Sequence, residues 1–446
     1  MQKKPTKTIS PSKISEVPSG RFSRLGKLGG LAARIAGSTI VNTAEQLAKA
    51  KKPTLNNTVL TQGNALTITE KLAQMRGAAM KVGQLMSMDA GEFLPAEWEP
   101  ILAKLRQGAD AMPKEQLLFM LNKHWGSDWM SHFSYFSFEP IASASIGQVH
   151  KATLTTGETL AIKVQYPGVA DSIDSDIDNL GRFLKLSGVA PKELQLDKLL
   201  AEAKSQLKRE ADYRQEVAFM QTYSDYLKED PRFVLPIPHL PLCNQYILAM
   251  SYVDGISLEK LVNNNQPVID FVCHALMELT LNELFVTGLM QSDPNFANFF
   301  YQPETKKIVL LDFGACAEIS PSIVSAYFDM ALALQKQSRK DIYSAFLKLG
   351  LLRKSMPDSI KDMVVDATMT ASECLQTKSY NFKEAELVSR LYEQTQGLMR
   401  NKDAVASPEF DSALVNRKIS GMILLANRLG ANLPMQETLQ RYLKHP

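Results

Sequence analysis

The sequence predicts an α+β chain of two lobes, one mixed and one mostly helical, with a helical extension in front of them. Three observations carry that prediction. The chain has 446 residues, enough for two or three domains at roughly 100–200 residues each. Its apolar pattern has helical period before residue 124, period two over 148–166, and helical period again from 170 and from 322 onward. Its composition is ordinary, 45% hydrophobic and 22% charged, which excludes a wholly disordered chain and a polytopic membrane protein.

The front end is the only basic part. Residues 1–34 carry eight Lys/Arg against the single Glu16, while the rest carries 42 basic against 46 acidic residues. Residues 1–20 read as a polar arm. In FSRLGKLGGLAARIAGSTIV, Phe22, Leu25, Leu28, Ala32 and Ile35 recur at three- and four-residue steps, interrupted by Arg34. The run is too short in uncharged residues to span a bilayer, which takes ~18–20. Two readings stay open: an interfacial anchor drawn to an anionic membrane surface, or a solvated tail leading into a docking helix. Nucleic acid is not favoured, because no second basic stripe with interleaved aromatics follows. Four cysteines far apart, without a CxxC, favour neither a disulfide framework nor a zinc site.

Next comes a helix at 65–90, with Ile68, Leu72, Met75, Ala79, Val82 and Met86 in one stripe. Thr67 or Thr69 can cap its start. Lys81 and Gln84, about 60° apart, fall on the opposite face. Further helical patterns cover 97–107 and 113–124. Gln148–Leu154, a Thr-Thr-Gly-Glu turn and Thr159–Tyr166 read as a hairpin. Helices are predicted at 170–187 and, as one long stretch, at 193–228; a strand at Tyr246–Met250; a helix at 267–289; a short buried strand at 308–311; and, after the cap-like Ser320-Pro321, helix nearly throughout. The divisions are 1–60, the arm and apolar segment; 61–134, the helical extension; 135–255, the mixed lobe; and 256–446, the helical lobe.

Four pieces carry chemistry. Lys163 sits mid-strand in LAIKVQY, and a lysine on the half-buried side of a hairpin calls for an anionic partner. Asp293 and Asn298 have the Asp-x4-Asn spacing of a kinase catalytic loop, between a helix and a strand. Asp312-Phe313-Gly314 ends the apolar strand, where an acid suits metal chelation beside phosphates. Ala142-Ser143-Ala144-Ser145 precede the hairpin, and small residues there let backbone N–H groups approach an anion. Each alone is a weak signal. Taken in chain order, small-residue loop, strand lysine, a helix glutamate, D-x4-N and strand-DFG make the protein-kinase-like layout, phosphate chemistry on a nucleotide. His150 and His274, joined by no ligand spacing, read as structural.

The resemblance is then specific. AQMRGAAMKVGQLMS is similar to the KxGQ motif of the UbiB/AarF/ADCK family of atypical kinases, ASASIGQVHKA to its alanine-rich loop, and KREADYRQE to its ExD element, Glu210-x-Asp212. QSDPNFANFF, VPSGRFSRLGKLGGLA and VQYPGVADSIDSDIDNL most resemble the coenzyme-Q-biosynthesis branch. The likeness covers residues 17–430. It implies a bilobal protein-kinase-like fold with an N-terminal KxGQ extension, and ATP and Mg²⁺ as cofactors. Lys163 would contact the nucleotide phosphates and pair with Glu216, Asn298 and Asp312 would hold Mg²⁺, and Asp293 would be the catalytic acid. The backbone of Ser251, Tyr252 and Val253 would meet the base, while Lys81 docks toward Glu210 and Asp212. On one helix, Glu210 and Glu216 lie roughly 120° apart, so each could serve a different lysine.

Departures from the family pattern matter too. Ser143 adds a hydroxyl where the family usually has alanine, and no APE or long activation segment follows Gly314. The implied function is an ATPase or kinase supporting ubiquinone biosynthesis at a membrane, with lipid or quinone precursors and biosynthetic enzymes as partners. Its rivals are a kinase acting on a protein or a prenylated phenol, and a nucleotide-binding scaffold without turnover. The short stretch before the matching region points to the cytoplasmic face of a bacterial inner membrane rather than to a mitochondrial precursor.

Overall fold

The computed structural model describes residues 76–89, 111–187, 196–262, 265–399 and 410–444. The basic arm, the apolar segment, Ile68, Leu72, Met75, both threonine caps and the helix expected at 97–107 lie outside these residues. The chain divides into two compact units.

The first unit takes the described residues of Met1–Ala218 together with Ile237–Tyr252. Its sheet contains β1 (Phe133–Phe136), β2 (Ala142–Ser143), β3 (Gly147–Leu154), β4 (Thr159–Gln165) and a strand at Ile247–Ser251. The order is β1-β3-β4 and then Ile247–Ser251, all antiparallel, with β2 paired to β3. The predicted hairpin is therefore present, and Gly157, at φ 96°, makes its turn. β4 lies between two neighbours and is buried from Leu160 to Gln165, so both of its faces are covered, not one. Leu117, Leu121, Trp129, Ile162, Val164 and Ile247 form the core on one side.

Among the described residues five α-helices belong wholly or partly to this unit: α1 (Arg76–Asp89), α2 (Lys114–Trp125), α3 (Val169–Ser187), α4 (Leu196–Glu210) and α5 (Tyr213–Leu227), the last running on into the second unit. α1 packs on both α3 and α4, burying Ala78, Ala79, Met80, Lys81, Val82 and Leu85. Lys81, expected opposite the apolar stripe, is buried together with the stripe residues Ala79 and Val82, so the helix is enclosed around these residues. The long stretch expected at 193–228 is two helices, not one. Asp212 breaks it, because its Oδ1 accepts the Arg214 N–H at 3.0 Å and caps α5.

The second unit takes Phe219–Pro236 and Val253–Pro446. One sheet has the order β5 (Phe233–Val234), β10 (Lys307–Leu310), β9 (Phe299–Gln302), β7 (Ile256–Ser257), with β5 parallel to β10. A separate antiparallel pair joins β8 (Leu289–Gln291) to β11 (Cys316–Glu318); the Ile247–Ser251 strand is β6. α6 (Gln266–Asn282) passes into a π-helical turn at Glu283–Thr287. α7 (Pro321–Gln335), α8 (Arg339–Lys348), α9 (Asp358–Ala371), α10 (Leu387–Met399), α11 (Phe410–Leu429) and α12 (Met435–Leu443) complete it. Proline does open α7 as predicted, but the Ser320 side chain makes no cap; its backbone N–H bonds Asp411 instead. A small β pair, β12 (Tyr380–Asn381) with β13 (Asn432–Leu433), interrupts the expected run of helix. Ile323, Tyr327, Ile342, Leu349 and Val415 lie in the core.

Candidate functional site

The predicted residues gather into two groups, one in each unit. In the first, Lys163 is buried at the centre of the sheet, paired in register with Val149 and Leu248. Its Nζ lies 2.9 Å from both carboxylate oxygens of Glu216, in the first turn of α5, and 5.2 Å from the centre of the Tyr213 ring. The anionic partner that the sequence called for is Glu216, as the kinase layout implied. A charge this deep is tolerated because its counter-charge is equally buried.

Glu210, at the end of α4, receives two donors. Lys81 reaches its Oε1 at 2.6 Å, and the Ser145 hydroxyl donates to its Oε2. The KxGQ helix is thus tied to the small-residue loop through one carboxylate. Gly77 makes the approach possible: a Cβ there would stand 2.5 Å from the Ser145 carbonyl oxygen. Asp212 is held differently. Its carboxylate takes a two-pronged bond from Arg214 at 2.9 and 2.6 Å, which keeps its pKa below the ordinary carboxylate value. Because the helix breaks here, the expected 120° relation between Glu210 and Glu216 does not apply; the two acids belong to different helices. The side chain of Gln84 lies outside the described residues.

Ala142 and Ser143 are exposed on β2. The N–H of Ala144 is bonded to the Gly147 carbonyl at 2.9 Å, so that amide closes a turn. At the end of β6, Ser251 N–H bonds the Ile237 carbonyl at 2.8 Å, and Tyr252 N–H bonds Thr159 at 2.9 Å. Lys151 sits 4.1 Å over the Tyr252 ring. Val253 belongs to the second unit.

In the second unit Asp293, Asn298 and Asp312 are stitched together by backbone bonds. The Ser292 N–H and hydroxyl both donate to the Ala315 carbonyl, at 3.1 and 2.6 Å. Leu311 N–H bonds the Asn298 carbonyl at 3.0 Å, and Asn298 Nδ2 donates to the Asp293 carbonyl at 3.2 Å. Asp312 Oδ1 accepts the Gly314 N–H at 2.9 Å, while the Phe313 ring is buried against Tyr223 at 5.1 Å. The DFG segment and the catalytic-loop segment are therefore joined by hydrogen bonds into one piece. The Asn298 amide nitrogen is tethered to the Asp293 carbonyl, and Asn298 and Asp312 between them supply an amide oxygen and a carboxylate, hard donors of the kind Mg²⁺ takes. Among the described residues no cluster of three or more His, Cys, Asp or Glu could hold a metal alone. Mg²⁺ with a nucleotide does not need one, since one or two carboxylates plus phosphates and water suffice. The donor set fits.

Sequence reading missed the residues beneath this piece: Gln291, Glu283, Tyr223 and Lys418, all buried. The one available signal was Lys418 in LVNRKISGMILL, a charge on a helix otherwise rich in apolar residues.

Residues 104–346 match the model of the ABC1 atypical kinase-like domain. The chain is 37% identical over 424 residues to "Atypical kinase COQ8, mitochondrial" of Saccharomyces cerevisiae, covering 94% of this chain and 84% of that protein. It is 33% identical to "Atypical kinase COQ8B, mitochondrial" of Danio rerio, over 94% of this chain and 68% of that one. In fold it is similar to a solved structure described as the complex of Rv3197 with erythromycin from Mycobacterium tuberculosis, with a TM-score of 0.59 and 23% identity, covering 85% of this chain and 96% of that one. From its motifs, its kinase-like fold and a match over most of its length, the chain belongs to the ABC1 (UbiB/ADCK) family of atypical kinases.

Proposed function

We propose that this atypical kinase binds ATP with Mg²⁺ and uses it, as an ATPase or phosphotransferase, in support of ubiquinone biosynthesis at a membrane surface. The observation that carries the reading is the pair of pre-set groups: Lys163 held by Glu216, and Asp293, Asn298 and Asp312 held in one stitched segment. Lys163 would bind phosphate oxygens, Asn298 and Asp312 would hold the metal, and Asp293 would orient the acceptor hydroxyl or water. Bound Mg²⁺ supplies neutralisation of charge on the phosphates. What remains for the protein is positioning and electrostatics. The Lys81–Glu210–Ser145 link ties the extension helix to the small-residue loop, which favours hydrolysis or a small acceptor over a protein acceptor.

The pathway is carried by the family branch, whose relatives bear the name COQ8 and are called mitochondrial. Membrane association rests on the basic front end; among the described residues no helix is long and apolar enough to cross a membrane. The bacterial inner-membrane location expected from the sequence stands as a proposal beside those mitochondrial relatives.

The test is phosphate release by the purified protein with Mg²⁺-ATP in buffer, with anionic liposomes, and with liposomes plus a phenolic quinone-precursor mimic. Turnover raised by the last two and lost in Asp312→Asn supports the reading. Nucleotide binding without turnover in any condition points to the scaffold instead, and phosphate found covalently on a protein or phenol points to the kinase.

A further inference from the structure

Behind the stitched segment lies a buried charge pair that the phosphate chemistry described above does not use. Lys418 on α11 and Glu283 in the π-helical turn have side chains only 1% exposed, with Nζ 3.3 Å from Oε2. Glu283 Oε1 accepts the Tyr223 hydroxyl at 2.9 Å. Burial pushes the Glu283 carboxyl above its ordinary pKa, against the pull of Lys418. A buried pair of this kind is poor evidence for stability, because apolar residues of similar size often serve as well. Its bonds indicate another use.

Lys418 Nζ donates to Gln291 Oε1 at 3.0 Å. An ammonium group has only donors, so the glutamine must present its oxygen to it. That fixes the amide the other way round, and Gln291 Nε2 donates to the carbonyls of both Asp293, at 2.9 Å, and Asp312, at 3.3 Å. One turn further along α11, Gly421 lies so close to Pro294 that a Cβ there would stand 2.4 Å from the proline ring. α11 thus meets the catalytic segment at two consecutive turns.

We propose that Lys418 is a positioning residue: by orienting the amide of Gln291 it sets the two backbone carbonyls, and hence the directions of the Asp293 and Asp312 side chains. The proposal rests on the reading that these acids serve nucleotide and metal. Residues that orient ligating groups typically contribute about 10–100-fold to metal affinity or activity.

The experiment compares wild type with Lys418→Met, Gln291→Leu and the double variant, measuring binding of a fluorescent ATP analogue as Mg²⁺ is titrated and again in EDTA. Each single variant should need roughly 10-fold or more Mg²⁺ for half-maximal binding, with metal-free affinity nearly unchanged. The double variant should be no worse than the poorer single one. A structural role predicts otherwise: metal-free and metal-dependent binding fall together with thermal stability, and the two changes add. That result, or an unaltered Mg²⁺ dependence, overturns the proposal. Should Lys418→Met fail to fold, Gln291→Glu keeps a partner for Lys418 while removing the two donors. It should show the same metal defect, and a normal Mg²⁺ titration there also overturns the proposal. Failure of the wild type to bind nucleotide would count against the functional reading alone. Amide exchange then decides on the relay: faster exchange confined to 291–298 and 311–316 in Lys418→Met supports it, and an unchanged pattern sinks it.

Discussion

Lys163 and Glu216 show what a buried charge asks of its surroundings. Removing one partner leaves the other uncompensated, at a typical cost of about 3–5 kcal/mol, while replacing both with apolar residues is often neutral. Lys163→Met alone should therefore lower the urea midpoint sharply, and Lys163→Met with Glu216→Leu should recover most of that loss without recovering nucleotide binding. Equal stability of the single and double variants would contradict this account of the pair. His150 poses the same problem in another form. Met112 N–H donates to Gln148 Oε1 at 3.0 Å, Gln148 Nε2 lies 2.8 Å from His150 Nε2, and His150 Nδ1 lies 2.8 Å from the Ser137 carbonyl. The chain of donors works only with a neutral ring, and burial pushes its pKa down to about 4. In the unfolded chain the ring titrates near 6.5, so between pH 6.5 and 4 the unfolded state binds more protons and stability falls as pH falls. The loss should approach roughly 3 kcal/mol and level off below pH 4. His150→Gln should flatten the denaturant-midpoint profile across that window; an unchanged slope would assign the acid sensitivity to other groups.

Elements are where the sequence was read well in kind and less well in detail. The hairpin carrying Lys163 was legible because alternation of period two leaves a plain trace, and the Lys163–Glu216 pairing because a family motif named it. The break at Asp212 was not legible. Helical periodicity continues on both sides of it, and only the bond from Arg214 N–H to the carboxylate shows that Asp212 caps a new helix. Periodicity places Lys81 opposite the apolar stripe but does not show that both faces are covered; α1 packs on α3 and α4, and Glu210 neutralises the lysine within that enclosure. Lys418 left no motif at all, since its partners are 127 and 135 residues away in sequence. Close approach at Gly77 gives an element-scale prediction. Alanine is normally the better helix former by up to about 1 kcal/mol, yet a methyl group at this position would meet backbone oxygen at 2.5 Å. Gly77→Ala should therefore destabilise the protein and disturb the Lys81–Glu210–Ser145 link. Increased stability with unaltered nucleotide binding would show that α1 does not need this contact.

At the scale of the whole molecule, the proposed function draws on both units: Lys163 and Glu216 belong to the first, and Asp293, Asn298 and Asp312 to the second. The account therefore requires that changes in either unit weaken binding of the same ligand, Mg²⁺-ATP. Calorimetric titration with Mg²⁺-ATP tests that requirement most directly, using wild type, Lys163→Met/Glu216→Leu and Asp312→Asn. The account predicts saturable binding by the wild type, weakening of 10-fold or more in both variants as roughly expected for lost ligating or charge-pairing groups, and, for Asp312→Asn, near-normal binding of ATP without metal. Wild-type affinity retained in both variants would contradict it.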